Sequence, residues 1–353
     1  MKLADARIGY AGYSADWSAP GDRRRFPAYA RMKSLRIERA EPGLSYNLAY
    51  VTYTSDLPAW IDRKRRDGDR LKFVFELIDS YLAQTSTMLH FLKGSARFTL
   101  GTDSRFSPDF WRTLIRACEA ADAVVCSTDE QADAIRRYNP NVCLSFDWFG
   151  DDLGTSKSDY SRGEKLRIVW EGQSTTLKHL RAIREVINEA YDNVELHVVT
   201  DPKVYRYFGR FLPHSAEELL KGFKCAVHFH PWNRETFWKH IIQADLAVIP
   251  IDSSDEFARG KPENKLIMLW QLGMPVLTSD TPAYGRAMVG AGFDLTCTSS
   301  DDWRGQLQRM IASPDAERQR IGRQGRAYAE RVYSRDEFVA RFDRALAMVG
   351  FEV

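Results

Sequence analysis

The sequence predicts an α/β protein of two domains, each a parallel sheet flanked by helices. Three observations carry this. A strand–helix–strand rhythm runs through the first half, stops, and restarts at Leu166. Short apolar strands alternating with amphipathic helices fit a parallel sheet covered on both faces. The interruption, Gly150–Glu164 (GDDLGTSKSDYSRGE), is rich in Gly, Ser and Asp with almost nothing to bury, which reads as an interdomain linker. The 353 residues are enough for two cores of ordinary size. The expected boundaries are 1–155, 156–335, and a closing helical segment 336–353 that packs back on the N-terminal domain.

In the first half, strands are expected over Ala6–Tyr13, Tyr46–Thr54, Leu71–Ile78, Ala123–Ser127 and Val142–Phe146. Helices are expected over Phe26–Glu38, Leu57–Arg66, Tyr81–Leu92, Pro108–Ala120 and Asp129–Tyr138, two of them with a proline near the first turn. In the second half the strands are Leu166–Trp170, Val194–Thr200, Cys225–His230, Leu246–Ile251 and Pro275–Ser279. Helices between them cover Leu177–Ala190, Ser215–Lys221, Glu235–Gln243 and Asn264–Leu272, and Trp303–Val349 is mostly helical.

Composition narrows the class. Hydrophobic residues make up 44%, which argues for a globular chain, and the net charge of +2 gives no global attraction to polyanions. Five scattered cysteines without a CxxC pair read as buried free thiols in a reducing compartment. The first residues lack a signal-peptide pattern and no run of about 20 apolar residues exists. The expected location is cytoplasmic.

Ligands of open parallel sheets sit beyond the carboxyl ends of the strands, where helix N-termini offer free N–H groups. Gly260–Lys265 (GKPENK) lies between an apolar strand and an apolar helix. Lys261 and Lys265, with Asn264 placed to cap the helix, suit a diphosphate. A loop that merely caps a helix fits the same residues. In Gly172–Lys178 (GQSTTLK) the glycine admits a ligand to the backbone. Lys178 in the first helical turn is electrostatically mismatched to that helix end, which points to an anionic partner.

Several segments resemble GT-B glycosyltransferases. Lys261–Ser279 (KPENKLIMLWQLGMPVLTS) is similar to the family's donor-site segment, Ile241–Ile251 to its helix-to-strand segment, and Arg318–Phe338 to its closing helices. In the first half, Glu119–Ser127 and Leu71–Tyr81 resemble family strands. The resemblance implies two Rossmann-like domains facing each other across a cleft. It implies transfer of a sugar from a nucleotide-diphosphate donor to a glycan or lipid-linked acceptor, with retention, in bacterial surface polysaccharide or glycoconjugate assembly. By the same resemblance Gly172, Lys178, Asn264 and Lys265 bind the diphosphate, with Lys261 and Glu263 beside them, and His230 and Trp232 lie near the base. The donor is a co-substrate, and no cofactor or metal is expected, because lysines and a helix N-terminus can neutralise the leaving diphosphate. One position departs from the family: Met268 stands where a donor-helix glutamate is usual, and Gly260 where its partner would be. Glu263 is the nearest acidic substitute.

Glu76 and Asp79, ending an N-domain strand, are candidates for a general base, as is Asp103 in Gly101–Arg105; each equally suits a helix-capping carboxylate. His228 and His230 share one strand face with His240 nearby, but no acid or cysteine completes a metal set at a recognisable spacing. Trp17, Trp60 and Trp148 are candidates for sugar stacking, with core packing as the competing reading.

Residues 1–72 carry a local excess of +6, and the segment 23–39 interleaves arginines and lysines with Phe26, Tyr29, Met32, Leu35 and Ile37. This pattern suits either peripheral contact with an anionic membrane or a solvated charged helix. No nucleic-acid module accompanies it, so nucleic acid is not an expected partner. Two further readings keep the architecture: a degenerate homologue acting as a scaffold, and a nucleotide-sugar epimerase.

Overall fold

The computed structural model describes residues 1–83, 88–204, 214–252 and 254–353. These divide into two units, one of Met1–Trp148, Gly260–Pro262 and Arg335–Val353, the other of Phe149–Arg259 and Glu263–Ser334.

The first unit holds a six-stranded parallel sheet of β1 (Ile8–Ala11), β2 (Ile37–Arg39), β3 (Leu48–Thr52), β4 (Lys72–Glu76), β5 (Ala123–Cys126) and β6 (Val142–Leu144), in spatial order β2-β1-β3-β4-β5-β6. Every residue of β1, β3 and β5 is buried. These strands therefore read as continuous apolar runs. The helices are α1 (Pro20–Arg24), α2 (Phe26–Met32), α3 (Leu57–Asp67), α4 (Met88–Thr99), α5 (Phe110–Ala120) and α6 (Asp129–Arg136). Asp56, Asp109 and Thr128 cap α3, α5 and α6 through their side chains. The helix expected over Tyr81–Leu92 falls partly outside the described residues.

The stretch expected to be one helix, Phe26–Glu38, is two elements. Helix α2 ends at Met32, Ser34 turns the chain at φ 54°, and the edge strand β2 follows. Three alternating residues, Ile37-Glu38-Arg39, are too few for periodicity to reveal. Two of the aromatic residues in segment 23–39 that suit a membrane surface are turned inward. Phe26 and Tyr29 are fully buried, Phe26 stacking on Tyr50 at 4.0 Å and Tyr29 on Phe342 at 5.2 Å. The aromatic side of the segment is spent on the core, and exposed charge remains at Arg31, Arg36 and Arg39. Phe342 belongs to α16 (Arg335–Met348), whose Asp343 accepts a 2.7 Å bond from Tyr29 Oη.

The second unit repeats the layout. Strands β7 (Leu166–Glu171), β8 (Val194–Thr200), β11 (Ala226–Pro231), β12 (Leu246–Ile249), β13 (Val276–Ser279) and β14 (Thr296–Cys297) form a parallel sheet in the order β11-β8-β7-β12-β13-β14. A separate two-residue antiparallel pair, β9 (Lys203–Val204) and β10 (His214–Ser215), lies between β8 and β11 in the chain. Helices α7 (Leu177–Ala182), α8 (Arg184–Glu189), α9 (Ala216–Leu219), α10 (Phe237–Gln243), α11 (Glu256–Arg259), α12 (Asn264–Gln271), α13 (Pro282–Gly290), α14 (Ser300–Ala312) and α15 (Asp315–Val332) complete it. The single helix expected over Leu177–Ala190 is broken at Ile183, and all five cysteines are free and buried.

The polar segment after Gly150 buries more than its composition suggests. Asp152 pairs with Arg234 at 2.8 Å, Lys157 donates to the carbonyls of Ile242 and Ala244, and Tyr160 Oη donates to the Gly273 carbonyl at 2.7 Å. It is a strap across the second unit, held by polar side chains that find backbone partners.

Candidate functional site

In the second sheet the strand order reverses between β7 and β12. The first strand of the unit leads to β8 and β11 on one side, and β12, β13 and β14 lie on the other. Such a reversal leaves a crevice at the carboxyl ends of the two central strands, the usual ligand position of open α/β sheets. Glu171 ends β7 and Gly172 follows it, and Ile251 and Asp252 follow β12. The Ile251 amide donates to Ser279 Oγ at 2.8 Å and the Asp252 amide to Nδ1 of buried His179 at 3.1 Å.

Lys265 enters this crevice from the first turn of α12. Its ammonium donates to the Glu171 carbonyl, sits 4.0 Å from the Glu171 carboxylate and lies 5.2 Å from the centroid of the Trp170 ring. Gly172 makes the approach feasible: a Cβ there would stand 2.6 Å from Lys265 Nζ and 3.0 Å from the Trp170 ring. Two residues singled out separately in the sequence thus meet. Lys178 is half-exposed, and its anionic partner is Asp255, 2.5 Å away. Burial opposes ionisation of Asp255, but the Lys178 hydrogen bond and the Ala258 amide outweigh it and lower its pKa.

Asn264 does not cap α12. Glu263 occupies the N-cap position with no capping side-chain bond, and it accepts from Tyr333 Oη at 2.7 Å. Burial first, then the charges of Glu263 and Glu171, raise the pKa of Tyr284, which places this buried phenol beside the same carboxylates. Met268 is buried in the core. Lys261, with Gly260 and Pro262, groups with the first unit. Glu171, Asp255, His179 and Tyr284 were not singled out from sequence. All four lie in or beside the strand-end segments, but only folding shows that Glu171 and Asp255 answer the lysines.

His230 and Trp232 both find partners within the second unit. The His230 ring stacks on His240 at 4.2 Å and hydrogen-bonds His197 at 3.0 Å, on the face under α10. Burial and the neighbouring imidazoles push it down to about 4. Trp232 stacks on Phe237 at 5.6 Å while its amide donates to the Thr200 carbonyl. A further grouping was missed entirely. Glu195 of β8 comes beside His197 and His228, with ligand atoms of all three within 4.8 Å of one another. The acid that no spacing along β11 supplied comes from the next strand.

The first sheet reverses between β1 and β3. Its predicted carboxylates are largely absorbed by packing. Glu76 and Arg25 are fully buried and pair at 2.7 Å, with Tyr13 and Tyr50 donating to the same carboxylate at 2.7 and 2.8 Å. Burial works against the Arg25 charge, but the Glu76 and Asp147 carboxylates overcome it and hold the guanidinium ionised. A base must reach its proton, and this carboxylate is saturated and closed off. Asp103 is buried in a two-pronged pair with Arg97, at 2.7 and 2.9 Å. Both carboxylates are taken up by arginine pairs, Glu76 by Arg25 from a distant part of the chain and Asp103 by Arg97 six residues before it. Asp79 alone stays partly exposed, accepting from Tyr53 Oη at 2.5 Å. Nearby, burial and Arg97 push Lys93 down to about 8, against the pull of Asp79. Trp60 is core, and Trp148 packs on Phe338 at 5.9 Å.

The two sheet orders, each with its own reversal, can be compared with solved structures. The fold is that of the GT-B glycosyltransferases. The chain is similar to sucrose-phosphate synthase from Thermosynechococcus elongatus, with TM-score 0.60 and 11% identity over 92% of this chain and 76% of that one. It is similar to Anabaena HepE in complex with UDP and glucose, with TM-score 0.63 and 11% identity over 97% and 99%. It is also similar to TarM of S. aureus, solved with UDP, fondaparinux and alpha-GlcNAc-glycerol, at TM-score 0.56 and 9% identity over 86% of this chain. The chain spans about half the length of TarM, 55% of that structure. No protein-family model and no curated relative matches the chain. At these identities the likeness is one of GT-B fold.

Proposed function

We propose that this chain is a glycosyltransferase that moves a sugar from a nucleotide-diphosphate donor to a glycan or lipid-linked acceptor. The observation that carries the reading is the convergence of Gly172 and Lys265 at the strand-order reversal of a sheet with GT-B topology. The similar structures solved with UDP support a nucleotide donor.

In this reading the diphosphate lies against the α12 N-terminus. Lys265 and the positive N-terminal end of the α12 dipole take up the negative charge that grows on the leaving group as the sugar–oxygen bond breaks. Lys178 joins by exchanging Asp255 for phosphate. That charge stabilisation needs no metal, and we extend the reading to a metal-independent, retaining transfer in bacterial surface polysaccharide or glycoconjugate assembly. Trp232 would offer its ring to the base, and Asp79 is the acceptor-side carboxylate with an exposed edge. A second reading rests on Met268: with an apolar side chain where the family holds an acid, the same domain could bind nucleotide and act as a scaffold.

A panel of UDP-, GDP-, dTDP- and CMP-sugars in a thermal-shift assay tests the proposal, since a ligand bound only by the native state raises its stability. One nucleotide should stabilise the chain. Lys265→Ala should then weaken the nucleoside diphosphate by about 10–100-fold, the worth of a charge-assisted hydrogen bond, and the nucleoside hardly at all. Equal losses for both would remove the phosphates from this crevice. Binding without turnover for any acceptor tried would favour the scaffold.

A further inference from the structure

The histidine row of the second unit has no part in the proposed transfer. Strands β8 and β11 pair in parallel with His197 opposite His228 and Glu195 opposite Ala226. Residues opposite each other in a ladder point to the same face. Glu195, His197, His228 and His230 therefore share one face, and α10 adds His240 at its end. Four of the chain's seven histidines line up here, with ring centroids 4.6 Å apart for His228–His197, 5.3 Å for His197–His230 and 4.2 Å for His230–His240.

The Glu195 carboxylate bridges the first two rings. One oxygen lies 3.3 Å from His197 Nε2 and the other 3.6 Å from His228 Nε2. Bonds of about 2.0–2.1 Å to a tetrahedral zinc ion place neighbouring ligand atoms roughly 3.3–3.4 Å apart. The observed separations are thus close to a ligand set already gathered. The other nitrogen of His197, Nδ1, is 3.0 Å from His230 Nε2. Two tautomers fit this geometry: with the proton on Nε2 the His197 ring donates to Glu195, and with the proton on Nδ1 it donates to His230 and turns the Nε2 lone pair toward Glu195. The second is the ligating form, with a cation shared between Nε2 and the carboxylate and His230 as the outer partner that sets the tautomer. Arg167, opposite Glu195 on β7, is the cationic neighbour. Its guanidinium is bound at 3.0 and 2.8 Å by Asp245, which offsets its charge.

We propose that Glu195, His197 and His228 form a site for a divalent transition-metal ion of the zinc class, with His230 orienting His197. Two imidazoles and one carboxylate suit such an ion better than calcium or magnesium, which favour all-oxygen shells. The site joins the edge strand β11 to its neighbour β8, so the ion acts as a clamp on an edge otherwise held by one ladder. It lies in the amino-terminal half of both strands, not at the carboxyl ends where Gly172 and Lys265 meet.

The test uses the whole chain, without a histidine tag, stripped by chelator and titrated with Zn2+ alone in calorimetry and thermal melts. One ion per chain should bind and raise the melting temperature. Glu195→Gln and His228→Ala should each weaken binding at least tenfold while melting like the wild type in chelator; the His228 side chain is 46% exposed, so its loss leaves folding intact. His230→Phe should weaken binding by about 10–100-fold through loss of the outer partner. Co2+ substitution should give the visible bands of a nitrogen–oxygen site without thiolate charge transfer, which separates it from the buried cysteines. Absence of saturable binding by the wild type, or full retention in the Glu195→Gln/His228→Ala double variant, would overturn the proposal.

Discussion

Substituting Gly172→Ala probes the proposed phosphate site with one methyl group. Gly172 is not in the left-handed region, so alanine is compatible with its backbone, and the added Cβ meets side chains only. It would stand 2.6 Å from Lys265 Nζ. Ordinary contact begins near 3.5 Å, so the ammonium must retreat by roughly 0.9 Å or more, which the far end of a flexible side chain can do. The Trp170 ring, at 3.0 Å, must give by a few tenths of an ångström. The folding cost should stay within about 1–3 kcal/mol, the range of small overpacking. The binding cost should be larger in relative terms. A retreat of that size takes Lys265 out of hydrogen-bond range of a phosphate lodged at the α12 N-terminus, worth about 1.5–3 kcal/mol. Calorimetry should then show nucleoside diphosphate affinity falling by roughly 10–150-fold, with the nucleoside nearly unaffected. Unchanged diphosphate affinity in a folded variant would refute the argument, because Lys265 could not have been the phosphate ligand.

Three further outcomes follow from packing and charge. Arg25→Met strands the fully buried Glu76 carboxylate; guanidinium unfolding should register a loss of about 3–5 kcal/mol, partly recovered by adding Glu76→Leu, and a loss under about 1 kcal/mol would mean that water reaches the pair. Gly322→Ala would place a Cβ 2.2 Å from the Gly273 carbonyl, at the turn where Gly273 (φ 77°) ends α12; backbone cannot swing aside, so a melting temperature equal to the wild type would contradict the close approach of α15. Asp302 is the third-position acid of the α14 capping box, with Ser299 as its N-cap, and is held down to about 2, chiefly by the Thr298 hydroxyl and amide and by Ser299. Its folded pKa lies below the unfolded value, so its contribution is present above about pH 4 and lost as the pH falls toward 2. Asp302→Asn should therefore flatten the acid limb of the stability curve, and an unchanged limb would exclude this cap as a source of acid sensitivity.

How far the sequence reached depended on the range of each interaction. The buried strands β3, β5, β12 and β13 were legible because largely apolar runs bounded by polar residues declare themselves locally. The edge strand β2 was not, since three alternating residues carry no period. The polar strap after Gly150 read as a linker because its anchors, Lys157 and Tyr160, bind backbone carbonyls that no composition reveals. Glu76 and Asp103 looked like bases at strand or loop ends until Arg25 and Arg97 appeared as their partners.

By itself, the sequence determined the two-sheet α/β architecture and the residue types on the phosphate side, because periodicity, turn residues and strand-end glycines act within a few positions. Only the tertiary structure decided which charges answer one another. Lys178 finds Asp255 across 77 positions, Lys265 reaches Glu171 across 94, and Glu195 meets His228 through a strand register. Those pairings depend on how strands line up and where helices return, and that is fixed by packing rather than by spacing along the chain.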